Sequence, residues 1–153
     1  MTGLELLLIA ALKHGADQRA AADEVARDLA RQQTCLTQAI YYEARGEPVT
    51  GQKAVAEVVM NRAKQNEVDI CAVVYAPYQF TFTWDGSLKR KIKQDAWDEA
   101  AEIAALYTNG DIPEGKRSIT RGANHYHTVA VEPQWAKPER ITARIGNHIF
   151  YRL

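Results

Sequence analysis

Glu43 sits in the run Ala39-Ile40-Tyr41-Tyr42-Glu43-Ala44-Arg45-Gly46-Glu47, where an apolar helical stretch carrying two tyrosine rings gives way to a glycine. A carboxylate on a largely apolar face is costly to ionise, which raises its pKa. A carboxylic acid that stays protonated near neutral pH is what general-acid cleavage of a glycosidic bond requires. The bland alternative is a structural ion pair with Arg45 or Arg62. Glycoside hydrolysis commonly pairs two carboxylates. The candidates for a second are Glu47, Glu57, Asp69 and Asp85. Glu47 lies four residues on, but Pro48 turns the chain out of helical geometry there. Glu57 falls on another helix, where Arg45, Lys53 or Arg62 would pair with it. None is convincing, which favours a single-acid or substrate-assisted mechanism.

His125, His127 and His148 suggest a different chemistry. An alternating His-X-His on a strand puts both rings on one face, and imidazoles are common zinc ligands. Joined by Glu43 or Asp85, they would make a zinc-dependent amidase or peptidase. The chain has no His-Glu-X-X-His helix, however, and histidines on strands are more often structural. Cys35 and Cys71 have no zinc-like spacing; they read as buried thiols or as one disulfide between two helical segments.

The elements that must position these groups are legible in outline. A chain of 153 residues is one ordinary domain with room for a hydrophobic core. Its 19 basic and 19 acidic side chains cancel, so no global field draws it to nucleic acid. Helices are expected from Leu4 to Lys13, from Asp17 to Gln33 after a break at Gly15, and from Cys35 to about Ala44 behind Thr34 as a cap. Gly46 and Pro48 end the third. Thr50 would cap a fourth, Gln52 to Ala63, with Val55, Val58 and Val59 as its core stripe and Ala54 and Ala56 allowing a close neighbour. Val68 to Tyr75 reads as a short helix or turn, and Gln79 to Trp84 as an extended segment. Asp95 to Tyr107 is a helix with Ala96, Trp97, Ala100, Ile103, Ala104 and Tyr107 inward. Gly110 to Gly122 reads as a loop, and short strands follow from Ala123. The fold class is α+β, predominantly helical.

The N-terminal run Leu4, Leu6, Leu7, Leu8, Ile9, Leu12 lacks a positively charged start, is interrupted by Glu5, and is too short to span a bilayer. Thr2 with Glu5 reads as a capping box. The expectation is a chain made in the cytoplasm without an export signal of its own, and without stable membrane insertion.

Four segments stand in order: Cys35-Leu36-Thr37-Gln38-Ala39-Ile40-Tyr41-Tyr42-Glu43-Ala44-Arg45-Gly46-Glu47; Gly51-Gln52-Lys53-Ala54-Val55-Ala56-Glu57-Val58-Val59-Met60-Asn61-Arg62; Cys71-Ala72-Val73-Val74-Tyr75 with Gln79-Phe80-Thr81-Phe82; and His125-Tyr126-His127 with Pro133-Gln134-Trp135 and Ile145-Gly146-Asn147-His148-Ile149-Phe150-Tyr151-Arg152. Together they resemble the catalytic domain of the cell-wall hydrolases related to the spore cortex-lytic enzyme SleB. The resemblance covers Cys35 to the C-terminus. Residues 34–153 are accordingly expected to be the catalytic domain, and residues 1–33 a helical extension packed on the core.

The resemblance implies a lysozyme-like fold, akin to goose-type lysozyme and the lytic transglycosylases, and cleavage of peptidoglycan glycan strands between N-acetylmuramic acid and N-acetylglucosamine. It implies Glu43 as the catalytic acid and no cofactor. Transglycosylase relatives need no second carboxylate, because the sugar's own 6-hydroxyl closes a 1,6-anhydro product. Gln79, Phe80, Tyr126 and Trp135 are candidates to line the glycan groove, since sugars suit aromatic faces with nearby amides. For Phe80, Trp84 and Trp135 taken singly, core packing is the simpler role. Asn61 and Arg62 read as binding the chain's own carbonyls or carboxylates rather than substrate. The resemblance also brings Cys35 and Cys71 together at the base of the catalytic helix, which implies a disulfide. Many relatives carry cysteines flanking the Gln79–Phe82 segment. Here Tyr78 and Trp84 stand instead, so aromatic packing must hold that loop. Size, the missing export signal and the lack of a wall-anchoring domain point to a monomeric phage endolysin, with a bacterial autolysin as the variant reading. A non-catalytic peptidoglycan-binding module is the third reading.

Overall fold

The computed structural model describes residues 2–110 and 118–153. The loop expected over Gly110 to Gly122 therefore lies partly outside the described residues, at 111–117. The chain divides into two compact units, Met1–Arg31 and Gln32–Leu153.

One helix, α1 (Gly3–Ala44), replaces the three expected before Gly46. A lone glycine in a helix costs only about 1 kcal/mol relative to alanine, and Gly15 lies among strong helix formers, so it does not break the run. Thr34 is consequently interior and not a cap. The capping box does form: the Glu5 amide donates to Thr2 Oγ1 at 3.4 Å and the Thr2 amide to Glu5 Oε2 at 2.7 Å. Within the first unit the apolar side chains from Leu4 to Leu12 are exposed.

The second unit is built around α2 (Val49–Asn66). This helix starts two to three residues earlier than the Thr50 cap predicted, because Pro48 already holds the flanking position with φ −54° and needs no side-chain cap. Ala54, Val55, Ala56, Val58 and Val59 are all fully buried. A helix apolar over most of its circumference must be covered on several sides. One side packs with Leu36, Ala39 and Ile40 of α1, with α3 (Ile70–Val74) and with Ala100, Ile103, Ala104 and Tyr107 of α4 (Gln94–Thr108). Another, through Ala54 and Val58, meets Ala123 and Phe150. Asp69 caps α3 by accepting from the Ala72 amide at 2.7 Å, and a disulfide joins Cys35 of α1 to Cys71 of α3 with Cα atoms 5.3 Å apart.

Gln79 to Trp84 is not the extended segment its alternation suggested; Thr81–Thr83 and Ser87–Lys89 are single 3-10 turns. The alternating rings serve a helix instead. Phe80 and Phe82 are buried in the helical core, and Phe82 stacks on Tyr42 with centroids 4.8 Å apart. Tyr42 also donates to the Ser87 carbonyl, and the Lys93 amide donates to the Tyr41 hydroxyl. Aromatic packing does hold this loop, but Tyr78 and Trp84 take no part, being 91% and 65% exposed.

Three short strands, β1 (His125–Thr128), β2 (Ile141–Ile145) and β3 (His148–Tyr151), form an antiparallel sheet in the order β1-β3-β2. The register pairs Tyr126 with Phe150 and His127 with Ile149. One face therefore carries Tyr126, His148 and Phe150, and the other His125, His127, Ile149 and Tyr151.

Candidate active site

Glu43 leaves the last turn of α1 between the buried Tyr41 and Ala44, and its own side chain is half-buried. Tyr126 of β1 donates its hydroxyl hydrogen to Glu43 Oε2 at 3.2 Å. The contact exists because Ala54 and Val58 of α2 draw the Tyr126–Phe150 face of the sheet against the helices. Burial pushes the Glu43 carboxyl above its ordinary pKa; the Tyr126 bond and the charge of Arg62 pull it back, and Asp85 adds a further upward push. Burial beside the same carboxylate raises the Tyr126 phenol well above its usual value, so it stays a donor. The result is an acid with one defined donor, one neighbouring cation and a bias toward its protonated form.

Arg62, read as a residue serving the chain's own carbonyls, does so and does more. Its Nε donates to the Asn124 carbonyl at 2.6 Å and its Nη1 to Gln79 Oε1 at 3.1 Å, while its charge acts on Glu43 and Tyr126. Burial lowers its pKa. The signal in the sequence was its spacing: Glu43 closes one core helix and Arg62 lies near the end of the next. Asn61 keeps the expected role, donating to the Ala123 carbonyl at 2.7 Å.

The other carboxylates are committed elsewhere. Glu57 pairs with none of Arg45, Lys53 or Arg62: it accepts from the Ser118 hydroxyl, the Ile119 amide, and the amide and hydroxyl of Thr120, at 2.7–3.1 Å. It is buried, and it fastens the loop before β1. Glu47 accepts from the Asn147 amide and carboxamide, clamping the turn between β2 and β3. Asp69 is a helix cap. Asp85 is exposed, accepts from the Ser87 amide at 2.8 Å, and is held below the usual carboxylate range by Ser87.

Of the groove candidates, Tyr126 meets Glu43 directly and Gln79 stands beyond Arg62, exposed and bonded to it. Phe80 is buried under the Arg62 guanidinium, 5.8 Å from its ring, and offers no face to a sugar. Trp135 packs against His125, His127 and Tyr151, on the sheet face opposite Tyr126, and so does not reach Glu43. The histidines divide in the same way. His127 donates from Nδ1 to the Thr128 carbonyl and accepts the Tyr151 hydroxyl at Nε2, whereas His148 lies edge-on to Tyr126 across the sheet. Their side chains do not converge, and no group of three metal-ligating side chains gathers among the described residues.

A family model described as Cell Wall Hydrolase matches residues 46–151. The spore cortex-lytic enzyme of Halalkalibacterium halodurans is 36% identical over 121 residues, covering 75% of this chain and 33% of that protein. The Bacillus subtilis enzyme of the same name is 32% identical over 128 residues, covering 75% and 35%. The chain thus spans about a third of the length of the curated relatives it matches. Among solved structures, the catalytic domain of Bacillus cereus SleB superposes with a TM-score of 0.58 at 27% identity, over 79% of this chain and 89% of that one. The catalytic domain of the germination-specific lytic transglycosylase SleB of Bacillus anthracis gives 0.60 at 27%, over 79% and 93%. The lysozyme-like, predominantly helical α+β class expected from the sequence is that of these catalytic domains. With the family model spanning α2, α3, α4 and the whole sheet, the chain belongs to the cell wall hydrolase family of the SleB type.

Proposed function

We propose that this chain cleaves peptidoglycan glycan strands between N-acetylmuramic acid and N-acetylglucosamine, with Glu43 as its single general acid and base, as a lytic transglycosylase. The observation that carries this reading is the pairing of Tyr126 with a half-buried, pKa-raised Glu43, while Glu47 and Glu57 are spent on structural bonds. Protonated Glu43 gives its proton to the bridging oxygen as the C1–O bond of the muramoyl residue breaks. The Glu43 carboxylate, stabilised by the Tyr126 hydroxyl and by Arg62, then takes the proton of the 6-hydroxyl as that oxygen closes on C1. The lack of a second uncommitted base beside Glu43 among the described residues favours the 6-hydroxyl over water. The transglycosylase named in the B. anthracis relative agrees with this choice.

Mass spectrometry of digested peptidoglycan tests the reading. Anhydro-muramoyl ends are expected; reducing muramic ends would mean hydrolysis, and cleaved stem peptides would restore the amidase reading. Activity should survive dialysis against a chelator. We further propose that the protein acts as a monomeric endolysin, made in the host cytoplasm and reaching the wall on release, a setting supported by the wall-directed chemistry. Expression in a bacterial host tests it: lysis is expected only once the inner membrane is permeabilised.

A further inference from the structure

The sheet face turned away from Tyr126 borders a cavity of about 380 Å³, the size of a small ligand site. It lies between the strands and the segment 129–138 that leads from β1 toward β2. Trp135 fastens that segment to the sheet by packing on His125, His127 and Tyr151. Strand pairing sets the floor: Arg144 opposes Ile149, which opposes His127, and Ile141 opposes Tyr151. Two formal charges line the space, Glu132 from the segment and Arg144 from β2, both exposed. Neither makes a hydrogen bond or ion pair among the described residues, with the other or with any third group. The guanidinium therefore keeps all five donors, and the carboxylate keeps its acceptor sites. A third polar group is fixed by its neighbours. The Thr128 carbonyl takes the His127 Nδ1 hydrogen, so Nε2 of the neutral ring accepts the Tyr151 hydroxyl hydrogen at 2.8 Å. Tyr151 thus offers the cavity an oxygen that can only accept.

We propose that this cavity binds an amino-acid zwitterion, an ammonium and a carboxylate on one carbon, at the end of a wall stem peptide. Opposite charges that line one cavity without pairing complement a ligand carrying both signs. The planar fork of Arg144 suits the carboxylate, bound at two points. Glu132 and the Tyr151 oxygen take the ammonium, and Ile149 and Val131 receive the carbon chain. A diamino acid whose side chain ends in such a centre is the stem-peptide residue of this chemistry. The choice of a stem peptide as the source rests on peptidoglycan as substrate. The site stands apart from Glu43, on the other face of the sheet, so it holds the wall and takes no part in breaking it. Because both charges are exposed, single contacts are weak, and retention comes from stem peptides repeated along the polymer.

The test is binding, read by NMR from the methyl signals of Ile141 and Ile149. The probes are three N-acetylmuramoyl peptides without a glycosidic bond: a tripeptide ending in diaminopimelate, the same tripeptide ending in lysine, and the dipeptide lacking the third residue. Lysine keeps the side-chain ammonium and lacks the carboxylate beside it; the dipeptide lacks both. The diaminopimelate probe should bind about fivefold more tightly than the lysine probe, and the dipeptide most weakly. Arg144→Gln should erase the preference for diaminopimelate over lysine. Glu132→Gln should weaken both tripeptides and leave their ratio standing. Both positions are exposed, so the fold should tolerate either change. Equal binding of the three probes, no binding of any, shifts confined to other residues, or indifference to Arg144→Gln would overturn the site. Wild-type digestion of peptidoglycan is scored separately: failure there with the zwitterion preference intact would sink the proposed function and not this site.

Discussion

Glu47 grips Asn147 at two points across one hundred residues of sequence, taking the backbone amide at Oε2 (2.9 Å) and the carboxamide at Oε1 (3.0 Å). The clamp leaves no room at the neighbouring turn residue. A Cβ on Gly146 would stand 1.8 Å from Glu47 Oε2, and the φ of +56° there already favours glycine. A carboxylate two positions from the start of α2 thereby sets where the β2–β3 turn sits, and with it the sheet that delivers Tyr126.

Gly146→Ala and Glu47→Gln are each expected to destabilise the fold by about 1–3 kcal/mol, through the clash in one case and the weakened charge-assisted bonds in the other. Denaturant unfolding measures both. Activity per folded molecule should stay within a few-fold of wild type for Glu47→Gln. A loss as large as that of Glu43→Gln would instead make Glu47 the second carboxylate.

Glu43→Gln should reduce wall lysis by about 10²–10⁴-fold or more with the fold intact. The substitution should not destabilise at neutral pH. A carboxyl whose folded pKa is raised binds more protons in the native than in the unfolded state, so its contribution falls as pH rises from the unfolded value through the folded one. Removing it therefore removes a cost above that window and changes nothing well below it. Thermal melts of both proteins across pH 3–8 check the sign.

Tyr126→Phe takes away a bond that favours the ionised acid. The Glu43 pKa should rise further, moving the basic limb of the pH profile of kcat/KM to higher pH. The carboxylate formed after proton donation also loses its donor, so the rate at neutral pH should fall about tenfold or more. An unchanged pH limb would show that the hydroxyl does not act through Glu43.

The Cys35–Cys71 bond closes a sequence separation of 36 residues. Reduction should cost on the order of 3–4 kcal/mol by the chain-entropy estimate and lower the melting temperature without abolishing activity. Thiol titration of unreduced, denatured protein should find no free thiol. Two per chain would show that the bond does not form in solution.

His148 is buried against Tyr126 with its Nδ1 unpartnered, and burial holds its pKa down. A lowered histidine pKa contributes stability that is full above the unfolded value, about 6.5, and is lost as pH falls toward the folded one. His148→Phe should flatten that acid loss, measured as the difference between the two proteins' melting temperatures at pH 7 and pH 5.

The place of Glu43 in the last turn of a helix, the helix α2 and the inward face of α4 were legible in the chain because helical periodicity is a local property. Ala54, Val55, Ala56, Val58 and Val59 announce a buried helix whatever surrounds them, and Thr2 and Glu5 cap within three residues of themselves. The same locality misled at Gly15 and Thr34, where a residue able to break or cap a helix lies within flanks that favour its continuation. It misled again at Phe80 and Phe82, whose alternation fits a strand but whose rings fill the helical core beside Tyr42. What the tertiary structure alone decided is how carboxylates and aromatics are assigned. Glu57 found amides and hydroxyls of a loop more than sixty residues away, and Glu47 found a turn one hundred residues away. The sheet register sent Tyr126 and His148 to one face and Trp135, His125 and His127 to the other. A carboxylate's role depends on which donors reach it, and that is fixed by long-range packing, which no spacing along the chain encodes.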